Sequence, residues 1–532
     1  MKHVKKLAGI LLALVMVFAL TATAFAATVT NETTHSYAAY QIFSGTQAEN
    51  TVPLGDVEWG AGIDATAFLT ALKGDARFVQ DDVNIFASCN TAAEVAEVLG
   101  AYPDKSAVAN AFANVAAQHL TTTSVAIAAE AGSVDLAAGY YLLIDTSTPG
   151  QDDAYNSALL QVTNQGNITI EAKYSVPIVD KSVKDTDGQW GESADWEIGS
   201  DVPFQLVGTL PTNYADYETY KYVFHDTLQD TLKYNGDVKV YVKNGETTTE
   251  ITTGFTVDPA AAATVGGGNL TVTFDNLKNV ENVTATSQIV VEFTAELLSN
   301  AVIGKAGNKN EVYLEYSNNP NVTGEGTTGS TKTDKVLVFT YELDVTKVDG
   351  QDPEKKLGSA QFVLLSSDKT KVAEVADGKF VQWVAVPAAD AEGKIAWPAG
   401  TTLTSAANGL FVISGLDAGS YYLRETVAPA GYNLLKNDIS VKIDATLDKS
   451  EDNPALTALK LTVKEDKEGA AATESDGVLE TGIVATNVEN NSGTQLPETG
   501  GIGTTIFYVV GGFLVLTAVV LLVTKKRMNA KR

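Results

Sequence analysis

The chain has 532 residues, too many for one hydrophobic core, and a prior of about one domain per 150 residues gives three. Its formal net charge of −28 argues against nucleic acid and anionic membrane surfaces as partners and describes a soluble, self-repelling surface. A single cysteine, Cys89, rules out an intramolecular disulfide, so any covalent reinforcement must use other chemistry.

Lys2, Lys5 and Lys6 precede the apolar run 7–20, which leads to Ala24-Phe25-Ala26. This order reads as a secretory signal peptide, residues 1–26, cut before Ala27. The first mature region, 27–173, opens strand-like at Tyr37–Phe43 and then turns helical. Thr91 and Glu94 form a capping box ahead of Val95 and Leu99, and Val108, Phe112 and Val115 repeat the helical spacing. Strands return at 140–144, 158–162 and 168–170. The four histidines, at 3, 35, 119 and 225, show no ligand-like spacing, so no metal and no cofactor is expected.

Strands dominate the second region, 174–341. In Val179-x-Lys181-x-Val183 a lysine shares the apolar face with two valines. Phe224-x-Asp226-x-Leu228 does the same for an aspartate, and Asn310-x-Val312-x-Leu314-x-Tyr316 for an asparagine. Each alone suits a half-buried edge position, but three such groups are costly to bury unless they pair. Gly266-Gly267-Gly268 lacks the Lys-Ser/Thr ending of a phosphate loop and precedes a strand, so it reads as a turn.

The third region, 342–491, repeats the pattern. Leu343-x-Val345-x-Lys347 places a lysine in phase with apolar residues, and Tyr421-x-Leu423-x-Glu425-x-Val427 places a glutamate. Ile483-x-Ala485-x-Asn487 ends the last strand. Residues 492–532 hold Leu496-Pro497-Glu498-Thr499-Gly500, an apolar run over 506–523 and a basic tail with Lys525, Lys526, Arg527, Lys531 and Arg532. That run is just long enough to cross a hydrocarbon core of ~30 Å, with the basic end held in the cytoplasm.

The order of pentapeptide, span and basic stop resembles the cell-wall sorting signal of Gram-positive surface proteins. In that family a sortase cuts between the residues matching Thr499 and Gly500. The opening of the third region and its Tyr421–Tyr432 box resemble the B-type repeat of collagen adhesins. The middle region, with Trp190–Asp195, 222–228 and 310–320, resembles the isopeptide-forming fimbrial domain. The whole chain resembles the shaft subunit of a sortase-assembled pilus.

That resemblance implies a mostly β fold of three tandem immunoglobulin-like sandwiches, the first with helical insertions. It implies a structural role at the cell wall rather than turnover of a substrate. The implied partners are sortase, further copies of the chain, accessory pilins and peptidoglycan. It also implies two intramolecular Lys–Asn bonds, Lys181–Asn310 promoted by Asp226 and Lys347–Asn487 promoted by Glu425. In the first region Tyr140-Tyr141-Leu142 echoes Tyr421-Tyr422-Leu423, but Ile144 stands where Glu425 falls, and no lysine occurs between Lys6 and Lys73. No cross-link is expected there. The lysine joined to the next copy's Thr499 is expected at Lys173, with Lys184 as the other choice. An alternative reading is a non-polymerising, wall-anchored adhesin that binds a host matrix protein.

Overall fold

A computed structural model of the chain describes residues 26–46, 54–103, 106–155, 157–162, 167–170, 175–320, 326–450 and 453–493. Residues 1–25 of the expected signal peptide, Lys173, the 496–500 pentapeptide and the apolar run after it lie outside the described residues.

In the first region Tyr37–Thr46 pairs antiparallel with Gly139–Asp145, and three further strands complete a five-stranded sheet. Three helices, Ala65–Gly74, Ala92–Leu99 and Ala107–Ala117, cover one face of it. Thr91 and Glu94 form the expected capping box on the second helix. A register shift between Gln41 and Phe43 turns both Ile42 and Phe43 towards the helices. The alternate residues Ala39, Tyr141 and Leu143 face a small three-stranded sheet of Ala26–Asn31, Gly132–Ala137 and Ile168–Ile170.

The second region is a sandwich of two seven-stranded sheets closed over Phe204, Phe224, Phe293 and Leu314. Val179–Lys184, Asp201–Gly208 and Gln288–Leu297 are neighbours in one sheet. Tyr222–Leu228, Asn308–Ser317 and Asp334–Phe339 are neighbours in the other. The glycine run leads into a strand, as its sequence suggests: Gly266 lies in a bend, Gly267 N donates to Leu232 O at 2.9 Å, and Gly268–Phe274 is the strand.

In the third region the layers are not separate sheets. Ten of its eleven strands form one hydrogen-bonded path that passes from layer to layer through the hairpin Lys371–Ala376 and Lys379–Ala385, and the eleventh, Leu403–Thr404, pairs beside it with Gln361–Leu365. Tyr341–Asp349 runs antiparallel to Leu410–Leu416 and parallel to Ile483–Asn490. The first strand of this unit therefore lies beside the last.

The first region docks on the second through residues 151–155. Gln151 Nε2 donates to Thr331 O at 2.8 Å, Asp152 N to Ser330 O at 2.9 Å, and Tyr155 N to Asn318 O at 2.7 Å. Asp153 also reaches back: its carboxylate lies 2.9 Å from His35 Nε2, while His35 Nδ1 meets the buried Asp145 carboxylate at 2.5 Å. His35 thus joins two acidic side chains in a largely buried cluster.

Candidate functional site: two buried lysine–acid–asparagine clusters

Strand alternation sends Lys181 inwards, where it is fully buried between the rings of Phe204 and Phe293, each 5.5 Å from Nζ. Lys181 comes from one sheet; Asp226 and Asn310 come from the facing one. Asn310 pairs with Leu228, so Asp226 and Asn310 sit two positions apart on adjacent strands and on the same face. Lys181 Nζ donates to Asp226 Oδ2. Both amide atoms of the fully buried Asn310 lack a well-formed hydrogen bond among the described residues, although the amide stands close enough to favour the ionised Asp226. A buried amide with unmet hydrogen-bonding capacity, next to an amine, is a costly arrangement for a merely structural contact.

The electrostatics suit nucleophilic attack. Burial pushes the Lys181 ammonium below its ordinary range, opposed by Asp226, Asp334 and Glu192. Burial pushes the Asp226 carboxyl up, opposed by Lys181 and Asn310. The pair is thereby biased towards a neutral amine and a protonated acid, the forms in which one attacks and the other shuttles protons. The carboxylate oxygens of Asp180, Glu192 and Asp334 lie within 4.8 Å of one another, and Asp334 Oδ2 accepts the Lys181 backbone N–H at 2.6 Å. Glu192 and Asp334 are part of the electrostatic surroundings of Lys181.

The third region repeats the arrangement, with one correction. Lys347 is fully buried, its Nζ 4.0 Å from Glu425 Oε1 and donating to Val488 O at 2.8 Å. Asn487 does not face it. Asn487 pairs with Thr346, and its side chain is exposed. The inward residues of that strand are Val484, Val488 and Asn490, so the phase is set by even numbers, one step from the Ile483-x-Ala485-x-Asn487 reading. The asparagine at the cluster is Asn490, fully buried, donating through Nδ2 to Glu425 Oε2 at 3.0 Å and to Asn433 O at 2.8 Å. Its Oδ1 lacks a hydrogen bond among the described residues.

Leu435 N also donates to Glu425 Oε2, at 2.9 Å, which leaves Oε1 turned to the lysine. Burial lowers Lys347 to about 8 and raises the Glu425 carboxyl. The sequence signal for Asn490 is the alternation Val484-x-Thr486-x-Val488-x-Asn490; Ile483, at the strand's mouth, obscures it.

Ile144 is half-buried, and the buried polar residues of the first region include Asn31, Thr33, His35, Asn114 and Asp145 but no lysine among the described residues. Lys184 is half-buried, with Nζ 5.5 Å over the Trp190 ring. Cys89 is buried, and burial raises its thiol.

Residues 341–453 match the SpaA family of prealbumin-like fold domains, and residues 488–530 match the LPXTG cell wall anchor motif. The trypsin-resistant surface T6 protein of Streptococcus pyogenes serotype M6 is 22% identical over 471 residues, covering 73% of this chain and 78% of that protein. The fold is similar to that of the T6 backbone pilin of the same serotype, described as a modular three-domain structure, with a TM-score of 0.50 and 15% identity over 88% of this chain and 99% of that one. The full-length major pilin SpaD from Corynebacterium diphtheriae aligns at a TM-score of 0.43 and 16% identity over 88% of this chain and 98% of that one. The chain thus carries a cell wall anchor motif and a prealbumin-like third domain, on a modular β fold similar to that of a backbone pilin.

Proposed function

We propose that the chain is a covalently polymerised shaft subunit, reinforced by Lys181–Asn310 and Lys347–Asn490 amide bonds. The observation that carries this reading is the pair of buried clusters, each joining an early strand of its domain to a late one. In each, the neutral lysine Nζ attacks the asparagine Cγ, a C–N bond forms, and the Cγ–Nδ2 bond breaks. The acid, Asp226 or Glu425, relays a proton from the amine to the departing Nδ2, which leaves as ammonia. The reaction occurs once per site.

Each bond closes a loop of most of a domain. By the chain-entropy estimate used for disulfides, a loop of about 100 residues is worth roughly 5 kcal/mol. Tension entering at Lys181 leaves at Asn310 without peeling the sheet.

Between subunits, sortase would cleave at Thr499–Gly500 and pass the Thr499 carbonyl to Lys173 of the next copy; the contact of Lys184 with Trp190 favours Lys173. The mature chain, kept in detergent for its C-terminal apolar run, should weigh less than its encoded sequence by two ammonia molecules. An unaltered mass would remove the cross-link reading. Coexpression with a pilus sortase should give a detergent-resistant ladder that Lys173→Ala abolishes. A ladder lost only with Lys184→Ala moves the acceptor, and no ladder at all leaves the non-polymerising adhesin.

A further inference from the structure

Asn490 stands where a strand frays. It is the last residue of Ile483–Asn490, an edge strand whose ladder runs along one side only, with Tyr341–Asp349. Asn310, by contrast, lies inside a strand paired on both sides. Terminal and edge positions open at the least cost, so the Asn490 amide needs more than the ladder to hold it.

The loop after Glu425 supplies that hold. Gly431, at a φ of +85°, turns the chain, and Tyr432 N donates to Pro429 O at 3.0 Å. Tyr432 OH then donates to Asp349 Oδ2 at 2.7 Å, two residues beyond Lys347 on the first strand. Asn433 grips the chain just past Asn490. Its backbone N–H donates to Asn491 O at 3.0 Å, and its Nδ2 donates to Asn491 O at 3.1 Å and Gly493 O at 2.8 Å. Its own carbonyl accepts from Asn490 Nδ2 at 2.8 Å, and Leu435 N donates to Glu425 Oε2 at 2.9 Å. Within four residues the loop touches the lysine strand, the strand end, the amide and the acid.

Both hydrogens of Asn490 Nδ2 are committed, one to Asn433 O and one to Glu425 Oε2. Turned over, the amide would set its Oδ1 against the Asn433 carbonyl, acceptor against acceptor. So held, Glu425 presents Oε2 to the departing nitrogen and Oε1 to Lys347 Nζ, the two ends of the proton relay.

We propose that Asn433 is a positioning residue for the third-domain bond, fastening the strand end so that the Asn490 amide is held on Glu425 while Lys347 attacks. The inference rests on the cross-link reading and adds a requirement to it: the bond forms once residues 491–493 are seated on the loop. The Asn433 side chain acts through the segment that it holds and not on the reacting atoms.

The test is a time course of bond formation in the freshly translated mature chain, with peptide mapping to follow the two bonds separately. In Asn433→Ala the Lys347–Asn490 bond should form about tenfold more slowly, the effect of losing two hydrogen bonds that align the reacting groups. The Lys181–Asn310 bond in the same molecules should keep its native rate. The pH profile is the readout that a merely stabilising contact would not move. Lys347 is the charged group facing Glu425, and Glu489 acts on Lys347 in turn. A loosened loop withdraws the Leu435 and Asn490 donors that favour ionised Glu425. The limb set by Glu425 should therefore move to higher pH, while the limb set by Lys347 stays. Asn437→Ala cuts a contact of the same loop to Glu465, away from the cluster, and should leave rate and profile native. Asn433→Ser, too short to span to both carbonyls, is read by the same criterion if Asn433→Ala fails to fold. A native chain that forms the bond, matched in rate and profile by Asn433→Ala, overturns this proposal alone, as does equal slowing in Asn437→Ala. A native chain that never loses ammonia at this site removes the cross-link reading and the inference with it.

Discussion

Asn490 donates to Glu425 from 3.0 Å, while Asn487, three residues earlier on the same strand, has an exposed side chain. The strand therefore distinguishes its two asparagines by phase. Asn490→Ala should restore one ammonia to the mass and remove a link worth roughly 5 kcal/mol from the third domain. Asn487→Ala should leave the mass unaltered and shift stability by no more than about 0.5 kcal/mol, as a surface change does. Intact mass and thermal unfolding of the two variants decide between them.

The rate of bond formation in the third domain should be bell-shaped in pH. It needs Lys347 neutral and Glu425 protonated. Lys347 is lowered to about 8, so below that value the neutral fraction falls about tenfold per unit. Burial raises Glu425, but its proton is lost as pH climbs further. A time course of ammonia loss in freshly translated chain, transferred to buffers of different pH, measures both limbs. Glu425→Gln should flatten the profile and slow the step.

Without the cross-link, Lys347 leaves a signature in stability. Burial brings its amine down from an ordinary 10.5 to about 8, with Glu425 opposing. Between those values the unfolded chain binds more protons than the folded one, so stability rises with pH across that window and falls as pH drops through it. In Asn490→Ala the third domain should gain on the order of 3 kcal/mol from about pH 8 to about pH 10.5, by the energy of one pKa unit. Denaturant titrations at the two ends check it.

His35→Leu removes the centre of the first region's histidine–aspartate cluster and takes from the fully buried Asp145 carboxylate its 2.5 Å partner. Breaking one half of a buried pair destabilises by about 3–5 kcal/mol. Because His35 also holds Asp153, the 151–155 dock should loosen as well. Faster protease cleavage within that loop, beside a lower melting point for the first domain, is the expected result.

Gly415 has a φ of +88°, and a Cβ there would come within 2.2 Å of the Ile198 side chain at the seam between the second and third domains. Gly415→Ala combines backbone strain with overpacking and should cost about 1–3 kcal/mol. A lower melting point for the third domain, read by calorimetry, checks it.

Much of this architecture is legible from local pattern. The capping box at Thr91 and Glu94 and the helices after it are short-range signals, and they form at the expected positions. So do the strands bearing Lys181, Asp226, Asn310, Lys347 and Glu425, since period-two alternation with valines and leucines dictates which way each side chain points. The buried sites therefore announce themselves as charged or amide residues standing in apolar phase.

Asn487 shows where that reasoning stops. Ile483 and Ala485 put it in an apolar phase as plausible as that of Val484 and Val488, and a one-residue change of phase exchanges the faces of a whole strand. The choice is made by the parallel pairing of 483–490 with 342–349, a contact across most of the domain. The same holds for His35 between Asp145 and Asp153. Those partners lie more than a hundred residues apart, on strands and turns whose own periodicity says nothing about what stands opposite. The sequence by itself determined the strands, the wall anchor and the inward direction of Lys181, Asp226, Asn310, Lys347 and Glu425. Tertiary structure alone decided which asparagine meets Glu425 and which acids meet His35, because burial energy acts on faces whereas partner identity is set by register and docking.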